Sequence, residues 1–122
     1  MIAADTSTWI SFFEGQQGED VTALTRALEA RQVVMPPPVL TELLSDPALS
    51  PSVAKTLLEL PLIALKDGFW HRAGSLRAKA LARKRKARLG DALIAQCCID
   101  ADISLITRDG DFKAFSHAVN LL

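Results

Sequence analysis

The sequence SLITRDGDF, residues 104–112, joins a strand-like apolar run to a pair of carboxylates. Alternating apolar and small polar residues over 103–107 predict a strand. Asp109 and Asp111 follow it, separated from each other only by Gly110. Two acids this close to the end of a strand favour either a tight turn or a place where a positive charge is held. The rest of the chain bears on which interpretation is correct.

Strand and helix patterns alternate along the chain. Short apolar segments at 1–5, 33–35, 61–65, 103–107 and 118–122 predict strands. Helices are predicted after Asp5, over 19–31, after the prolines 36–38, over 51–60, over 67–86 and within 88–101. Strands joined by helices pair in parallel through right-handed crossovers. The sequence therefore predicts an α/β sandwich around a small, mainly parallel sheet of four to five strands.

Size and composition indicate one domain spanning residues 1–122. Nearly half of the 122 residues are hydrophobic, which is enough to build a core. No stretch rich in Pro, Gly or Ser divides the chain.

The compartment is expected to be the cytoplasm, with no membrane association. The start MIAADTSTWI lacks the basic flank and apolar run of a secretory signal, and no apolar stretch approaches the roughly 18 residues of a membrane span. Cys97 and Cys98 are adjacent, a spacing that fits neither a disulfide framework nor a CxxC motif. Both cysteines are expected in the core.

Positive charge is concentrated in one segment although the formal net charge is zero. No acid occurs between Asp67 and Asp91, and more than half of the 14 basic residues lie there. The densest run is RKRKAR, residues 83–88. It could be a solvated helix end, but its density favours contacts with phosphate groups. The residues concerned are Arg83, Lys84, Arg85, Lys86 and Arg88.

The acids predict a shared site at one edge of the sheet. In a parallel sheet, the carboxyl ends of strands and the amino ends of the connecting helices meet at the ligand-binding edge. Asp5 ends the first strand, Glu42 lies in the first turns of a helix, Asp91 opens another helix, and Asp109 and Asp111 follow a strand. Three of them, Asp5, Asp91 and Asp109, could instead cap helices, and Asp91 could also simply belong to an acidic first turn. Glu42 borders an apolar arc and is expected to be partly buried.

Several carboxylates facing one another repel, so their pKa values rise unless a cation compensates them. Oxygen ligands without a neighbouring His or Cys favour Mg²⁺ or Mn²⁺ over zinc. A divalent ion at this edge would polarise a phosphate and lower the pKa of water. His71 and His117 have no motif around them and are expected at the surface.

The segments DTSTWI, LTELL, GDALIAQ and LITRDGDF together resemble PIN domains, specifically the VapC-like toxins of type II toxin–antitoxin systems. The resemblance covers almost the whole chain. It implies a three-layer α/β/α sandwich and a Mg²⁺- or Mn²⁺-dependent ribonuclease. It also implies a homodimer and a cognate antitoxin that inhibits the enzyme.

The resemblance assigns the acidic quartet to Asp5, Glu42, Asp91 and Asp109. Asp111 is implied as an auxiliary metal ligand beside Asp5, Asp91 and Asp109, and Ser7 as the hydroxyl that positions water or metal. The expected reaction is hydrolysis of an RNA phosphodiester bond, with the RNA guided by the basic run.

Two other functions fit parts of the sequence. A catalytically silent PIN-like module would bind RNA or a partner protein, although none of the four acids is lost. A phosphotransfer or phosphatase domain would use Asp5 as nucleophile. That chemistry usually has a second acid where this chain has Ser7 and a lysine where it has Arg108.

The aromatic residues Trp9, Phe12, Phe13 and Trp70 are assigned to the core or to a dimer interface.

Overall fold

The computed structural model describes residues 1–122, which form six α-helices, two strands and one 3₁₀ helix. In chain order these are β1 (Ile2–Ala4), α1 (Thr6–Phe13), α2 (Glu19–Glu29), α3 (Pro37–Leu44), α4 (Pro51–Glu59), α5 (Phe69–Ala82), α6 (Leu89–Ala101), β2 (Ser104–Ile106) and the 3₁₀ helix Gly110–Phe115. Each predicted helix is present, and the predicted strands at 1–5 and 103–107 are present as β1 and β2. None of the helices combines the length and the apolar character that crossing a membrane requires.

The sheet has two strands, so the predicted number of four to five is wrong. β1 and β2 pair in parallel, with Ile2 opposite Ser104 and Ala4 opposite Ile106. The other three predicted strands are present only as isolated parallel bridges. These bridges join Ile2 to Val33, Met35 to Leu62, and Leu105 to Leu121.

The three outer segments do not become strands because each one makes only a single bridge to any one neighbour. Met35 bonds to the segment around Leu62 through two backbone hydrogen bonds of 2.8 and 2.9 Å. The next residue, Pro36, has no N–H for a ladder and begins the approach to α3. At the other edge, Leu105 makes two hydrogen bonds of 2.9 Å to residues 120–122. These contacts extend the sheet without adding strands.

Helices cover both faces of the sheet. Ala3 and Ala4 in β1 are both fully buried, as are Leu105 and Ile106 in β2. Because successive side chains of a strand point to opposite faces, burial of consecutive residues means that both faces are covered. α6 is the most buried helix, with Ile94, Ala95, Cys97 and Cys98 all in the core.

The residues at the helix starts explain how the chain reaches the sheet edge. α3 and α4 each begin with proline at the first helical position, where the missing N–H costs nothing. α1 begins directly after β1, with Asp5 as its N-cap. The carboxyl end of β1 and the amino end of α1 therefore coincide at one residue.

Candidate active site

Asp5 is held at the end of β1 by several hydrogen bonds. Its side chain accepts from the backbone N–H of Thr8 at 3.0 Å, which caps α1. Thr107 Oγ1 donates to Asp5 Oδ2 at 2.7 Å from the end of β2. Asp5 is only 2% exposed, and burial raises the pKa of its carboxyl, while these hydrogen bonds oppose the rise. The capping interpretation is correct for Asp5, but capping occupies only part of this carboxylate.

Ser7 orients the same carboxylate. Its hydroxyl lies 2.9 Å from both Asp5 Oδ1 and Asp5 Oδ2. A hydroxyl has one hydrogen, so Ser7 can donate to only one of these oxygens at a time. The four acceptor positions of Asp5 are therefore not all filled, and one remains for another ligand.

Asp91 lies in the first turn of α6 and carries a buried oxygen without a partner. Arg88 is the N-cap of this helix, so Asp91 does not have the capping role. Asp91 Oδ2 is buried and makes no hydrogen bond. Burial, followed by repulsion from Asp109, raises the pKa of Asp91 to about 6. Asp5 and Glu42 contribute further repulsion, so Asp91 senses the other three acids of the predicted quartet.

Three carboxylates meet closely at this edge. Asp91, Asp109 and Asp111 each offer one oxygen, and these oxygens lie within 4.8 Å of one another. Asp109 is also the N-cap of the 3₁₀ helix and accepts from the N–H of Asp111 at 2.9 Å. The tight-turn interpretation of the DGD sequence is therefore confirmed. The two acids form a tight turn, and the turn brings them to the cluster.

Glu42 lies beside the cluster rather than inside it. A methyl group on Gly90 would be 3.9 Å from Glu42 Oε1, which places this carboxylate next to the start of α6. Thr6 Oγ1 donates to the same oxygen at 3.0 Å. Glu42 is exposed, so the expectation of partial burial is wrong. Its face of α3 turns toward solvent, while Val39 and Leu43 fill the core.

The basic run forms a loop between α5 and α6 that reaches the acids. Lys86 Nζ lies 3.2 Å and Arg88 Nε 4.0 Å from Asp111 Oδ2. Arg83 instead donates to the backbone carbonyl of Ala114 at 3.2 Å. Lys84 and Arg85 are exposed and form no ion pair. The loop thus brings positive charge to one side of the acidic cluster.

The donor set fits a hard divalent cation. All of the ligand atoms are carboxylate oxygens, the type that Mg²⁺ and Mn²⁺ prefer. Of the three clustered acids only Asp111 forms an ion pair, so Asp91 and Asp109 have no salt-bridge partner. Asp5 lies outside this close cluster and likewise forms no salt bridge. The unpartnered Oδ2 of Asp91 is the strongest single indication of a cation site. A buried carboxylate oxygen without a partner lowers the stability of the fold, and a bound cation would supply that partner.

Several residues at the site were missed by sequence reasoning. Thr107 contacts Asp5 and also accepts from the N–H of Asp109 at 2.9 Å. Its position at the end of β2, two residues before the acids, was the available signal. Thr6 and Thr8 belong to DTST, where only Ser7 was singled out. The histidines His71 and His117 are both exposed, as expected.

A family model for the PIN domain matches residues 2–118. The chain belongs to the PIN domain family. Comparison of this PIN domain with curated proteins gives no significant match.

Solved structures with the same fold cover the whole PIN domain. FitAcB from Neisseria gonorrhoeae matches with a TM-score of 0.73 and 20% identity, over 100% of this chain and 96% of that chain. VapBC2 from Rickettsia felis, bound to a promoter DNA fragment, matches with a TM-score of 0.74 and 19% identity, over 100% and 98% of the two chains. VapBC-5 from Mycobacterium tuberculosis matches with a TM-score of 0.65 and 21% identity, over 99% and 94%. At these identities the similarity concerns the fold.

Proposed function

We propose that this PIN domain, residues 1–122, is a VapC-like toxin that hydrolyses RNA phosphodiester bonds in the cytoplasm with Mg²⁺ or Mn²⁺. The observation that supports it most is the cluster of Asp91 with Asp109 and Asp111, with Asp5 close enough to add to the repulsion that raises the pKa of Asp91. Asp91 has a raised pKa and a buried oxygen without a partner. A cluster that costs stability in this way is typical of a functional site.

We assign the metal-holding role to four aspartates. Asp91, Asp109 and Asp111 approach one another closely. Asp5 repels Asp91 and has one acceptor position without a donor. A divalent ion there supplies positive charge to the phosphate and lowers the pKa of water toward neutrality. Ser7 keeps the Asp5 carboxylate oriented.

Glu42 has a different place in the proposal. It is exposed beside the start of α6 and carries one hydrogen bond from Thr6, so its second oxygen is free to accept a proton or orient a water. With Asp91, Asp109, Asp5 and Glu42 all at this edge, no histidine is needed for proton transfer.

The basic loop is the proposed RNA contact. A polyanion is repelled by the acids unless cations compensate its charge. Lys86 and Arg88 are exposed beside Asp111, while Lys84 and Arg85 form no ion pair and are free to bind phosphates. Arg83 instead anchors the loop to the 3₁₀ helix through its hydrogen bond to the carbonyl of Ala114.

The decisive experiment is a cleavage assay on end-labelled RNA with Mg²⁺, with Mn²⁺ and with EDTA. Asp5→Asn and Asp91→Asn are expected to abolish cleavage. Asp102→Asn is the matched control, because Asp102 lies at the opposite end of α6 with φ 54°, a conformation that asparagine also adopts. RNA binding without cleavage and without metal dependence would support the silent module instead. Phosphate release from a small ester would support the phosphatase.

An apolar groove with acidic edges fits the proposed antitoxin. It has a volume of about 190 Å³ and lies between α1 and α3. Ile10, Phe13 and Leu49 supply apolar surface, while Glu14, Glu42 and Asp46 supply negative charge. A basic amphipathic peptide matches this pattern, and its cationic side chains would reach the acids through Glu42.

A second apolar surface fits the proposed homodimer. Leu62, Leu65 and Trp70 are exposed by 53%, 41% and 67%. Trp70 is therefore outside the core, which leaves the interface as the remaining assignment for it, whereas Trp9 is buried. Exposed apolar surface that includes an aromatic residue is typical of protein interfaces.

A further inference from the structure

A forked ion pair joins the end of β2 to the start of α2. Arg108 Nε donates to Asp20 Oδ2 at 2.8 Å, and Arg108 Nη2 donates to Asp20 Oδ1 at 3.0 Å. The remaining guanidinium donors reach Gln16 Oε1 at 3.0 Å and the carbonyl of Gln17 at 3.2 Å. The Asp20 side chain is 9% exposed. A bidentate pair of this kind fixes direction as well as distance.

Both residues of this ion pair are connected to Asp5, through Thr8 on one side and Thr107 on the other. On one side, Thr8 Oγ1 donates to Asp20 Oδ2 at 3.0 Å, and the N–H of Thr8 donates to Asp5 Oδ1 at 3.0 Å. On the other side, Thr107 precedes Arg108 and donates to Asp5 Oδ2 at 2.7 Å. These contacts form a closed ring that includes the buried carboxylate of Asp5. Its members are Asp5, Thr8, Asp20, Arg108 and Thr107.

The glycine at position 18 leaves room for this ring. A Cβ atom at Gly18 would lie 2.6 Å from Asp20 Oδ1 and 2.8 Å from Arg108 Nη2. The loop between α1 and α2 therefore approaches the fork more closely than a side chain would permit.

We propose that Asp20 and Arg108 are positioning residues for Asp5. This rests on the proposed function, because it gives Asp5 a role at a metal centre. The guanidinium of Arg108 donates to Asp20 and to two oxygens of the loop between α1 and α2. Arg108 therefore acts by holding the β2 end and Thr107 in place, and Asp20 acts by holding Thr8. Neither residue contacts the substrate. Supports of this kind typically change metal affinity by 10- to 100-fold.

The test measures Mn²⁺ affinity by titration calorimetry on the full chain, well below the unfolding temperature. Arg108→Ala and Asp20→Asn are each expected to weaken Mn²⁺ binding by at least about 10-fold, and Arg108→Lys by less, because lysine cannot make the fork but keeps the charge. The double variant should be little weaker than the worse single variant.

Arg72→Ala is the matched control. Arg72 makes the other forked pair of the chain, to Asp100 near the far end of α6, with bonds of 3.1 and 2.6 Å. Its removal is expected to lower the unfolding temperature with Mn²⁺ affinity unchanged within about twofold. If Arg108→Ala and Arg108→Lys behave like Arg72→Ala in this respect, the pair is merely structural and the proposal is wrong.

A second measurement needs no metal and separates this inference from the proposed function. The Thr8 N–H bonds to Asp5 Oδ1, so its hydrogen exchange reports on how firmly Asp5 is held. Exchange at Thr8 should accelerate at least about 10-fold in Arg108→Ala and stay unchanged in Arg72→Ala. If the wild-type protein does not bind Mn²⁺, the proposed metal site is wrong. The Thr8 exchange rate would still test whether Asp20 and Arg108 position Asp5.

Discussion

Thr107 Oγ1 donates a 2.7 Å hydrogen bond to Asp5 Oδ2 across 102 positions of sequence. The bond joins the ends of the two paired strands, so the sheet register and the geometry of the acidic site depend on each other. Asp5 N also donates to the carbonyl of Ile106 at 3.0 Å, which continues the ladder to this point. A change at either residue should therefore affect both stability and the site.

Replacing Thr107 with valine tests this link. Valine keeps the shape but removes the 2.7 Å donor to Asp5 Oδ2, which then has only Ser7, and leaves the Asp109 N–H without this partner. We expect the free energy of unfolding, measured by urea denaturation, to fall by about 1–3 kcal/mol. Thr107→Ser should retain most of the stability, and a valine variant as stable as wild type would contradict the link.

Asp91→Asn should stabilise the metal-free protein at neutral pH. The pKa of Asp91 is about 6 in the folded chain against 3.8 as its ordinary value, so folding takes up a proton between these limits. The free energy of unfolding therefore falls as pH rises through this range, and the asparagine variant avoids that decrease. After allowance for solvent screening of this half-buried group, we expect a gain of about 1 kcal/mol at pH 7.5. Thermal unfolding in EDTA at pH 7.5 and at pH 4 measures it, and an equal gain at both would contradict the cause.

Metal affinity should depend on pH through the same group. A divalent ion requires the ionised carboxylate, and Asp91 is protonated below about pH 6. We expect the apparent affinity for Mn²⁺ to fall up to about tenfold per pH unit below 6 and to be nearly constant above 7. Calorimetry across this range measures it. A flat profile from pH 5 to 8 would show that Asp91 does not take part in binding.

The basic loop predicts a salt-dependent change in RNA affinity. Lys84 and Arg85 are exposed and unpaired, so replacing each with glutamine should leave about one RNA phosphate without its cation and should not disturb the fold. On single-stranded RNA, each such replacement should reduce the slope of log affinity against log salt by about 0.7. Binding is measured in the Asp5→Asn background to prevent cleavage. Lys55→Gln, on the exposed side of α4, is the control and should leave the slope unchanged.

The two apolar surfaces predict opposite effects. Trp70→Glu should convert the proposed homodimer to a monomer in light scattering and leave binding of the co-purified antitoxin intact. Ile10→Glu should weaken antitoxin binding and leave the dimer intact, because Ile10 lines the groove between α1 and α3. Each variant is the control for the other. Identical effects of both would mean that the two surfaces are not separate.

The sequence was informative where local pattern determines structure. The helices after Asp5 and after the prolines 36–38, and the buried helix that carries Asp91, follow from periodicity, proline placement and hydropathy. The meeting of the acids follows from the parallel arrangement, because strand ends and helix starts share an edge. These inferences required no knowledge of individual contacts.

The sequence was less informative where single contacts decide. A segment such as 33–35 has strand composition, but whether it forms a ladder or one bridge depends on hydrogen bonds made on both of its edges. The exposure of Glu42 depends on how α3 rotates against its neighbours. The pairing of Asp20 with Arg108, across 88 positions, leaves no mark in local pattern. Long-range polar contacts of this kind appear only in three dimensions.

The pairing of β1 with β2 also determines when the site can come into existence. A ribosome delivers Asp5 first and Thr107 only 102 residues later, an interval of roughly 5–20 seconds at ordinary elongation rates. Until that moment the growing chain has neither the β2 ladder nor the last two aspartates. A chain that ends before Asp109 therefore lacks two of the three clustered aspartates. Such a copy cannot acquire the proposed nuclease activity.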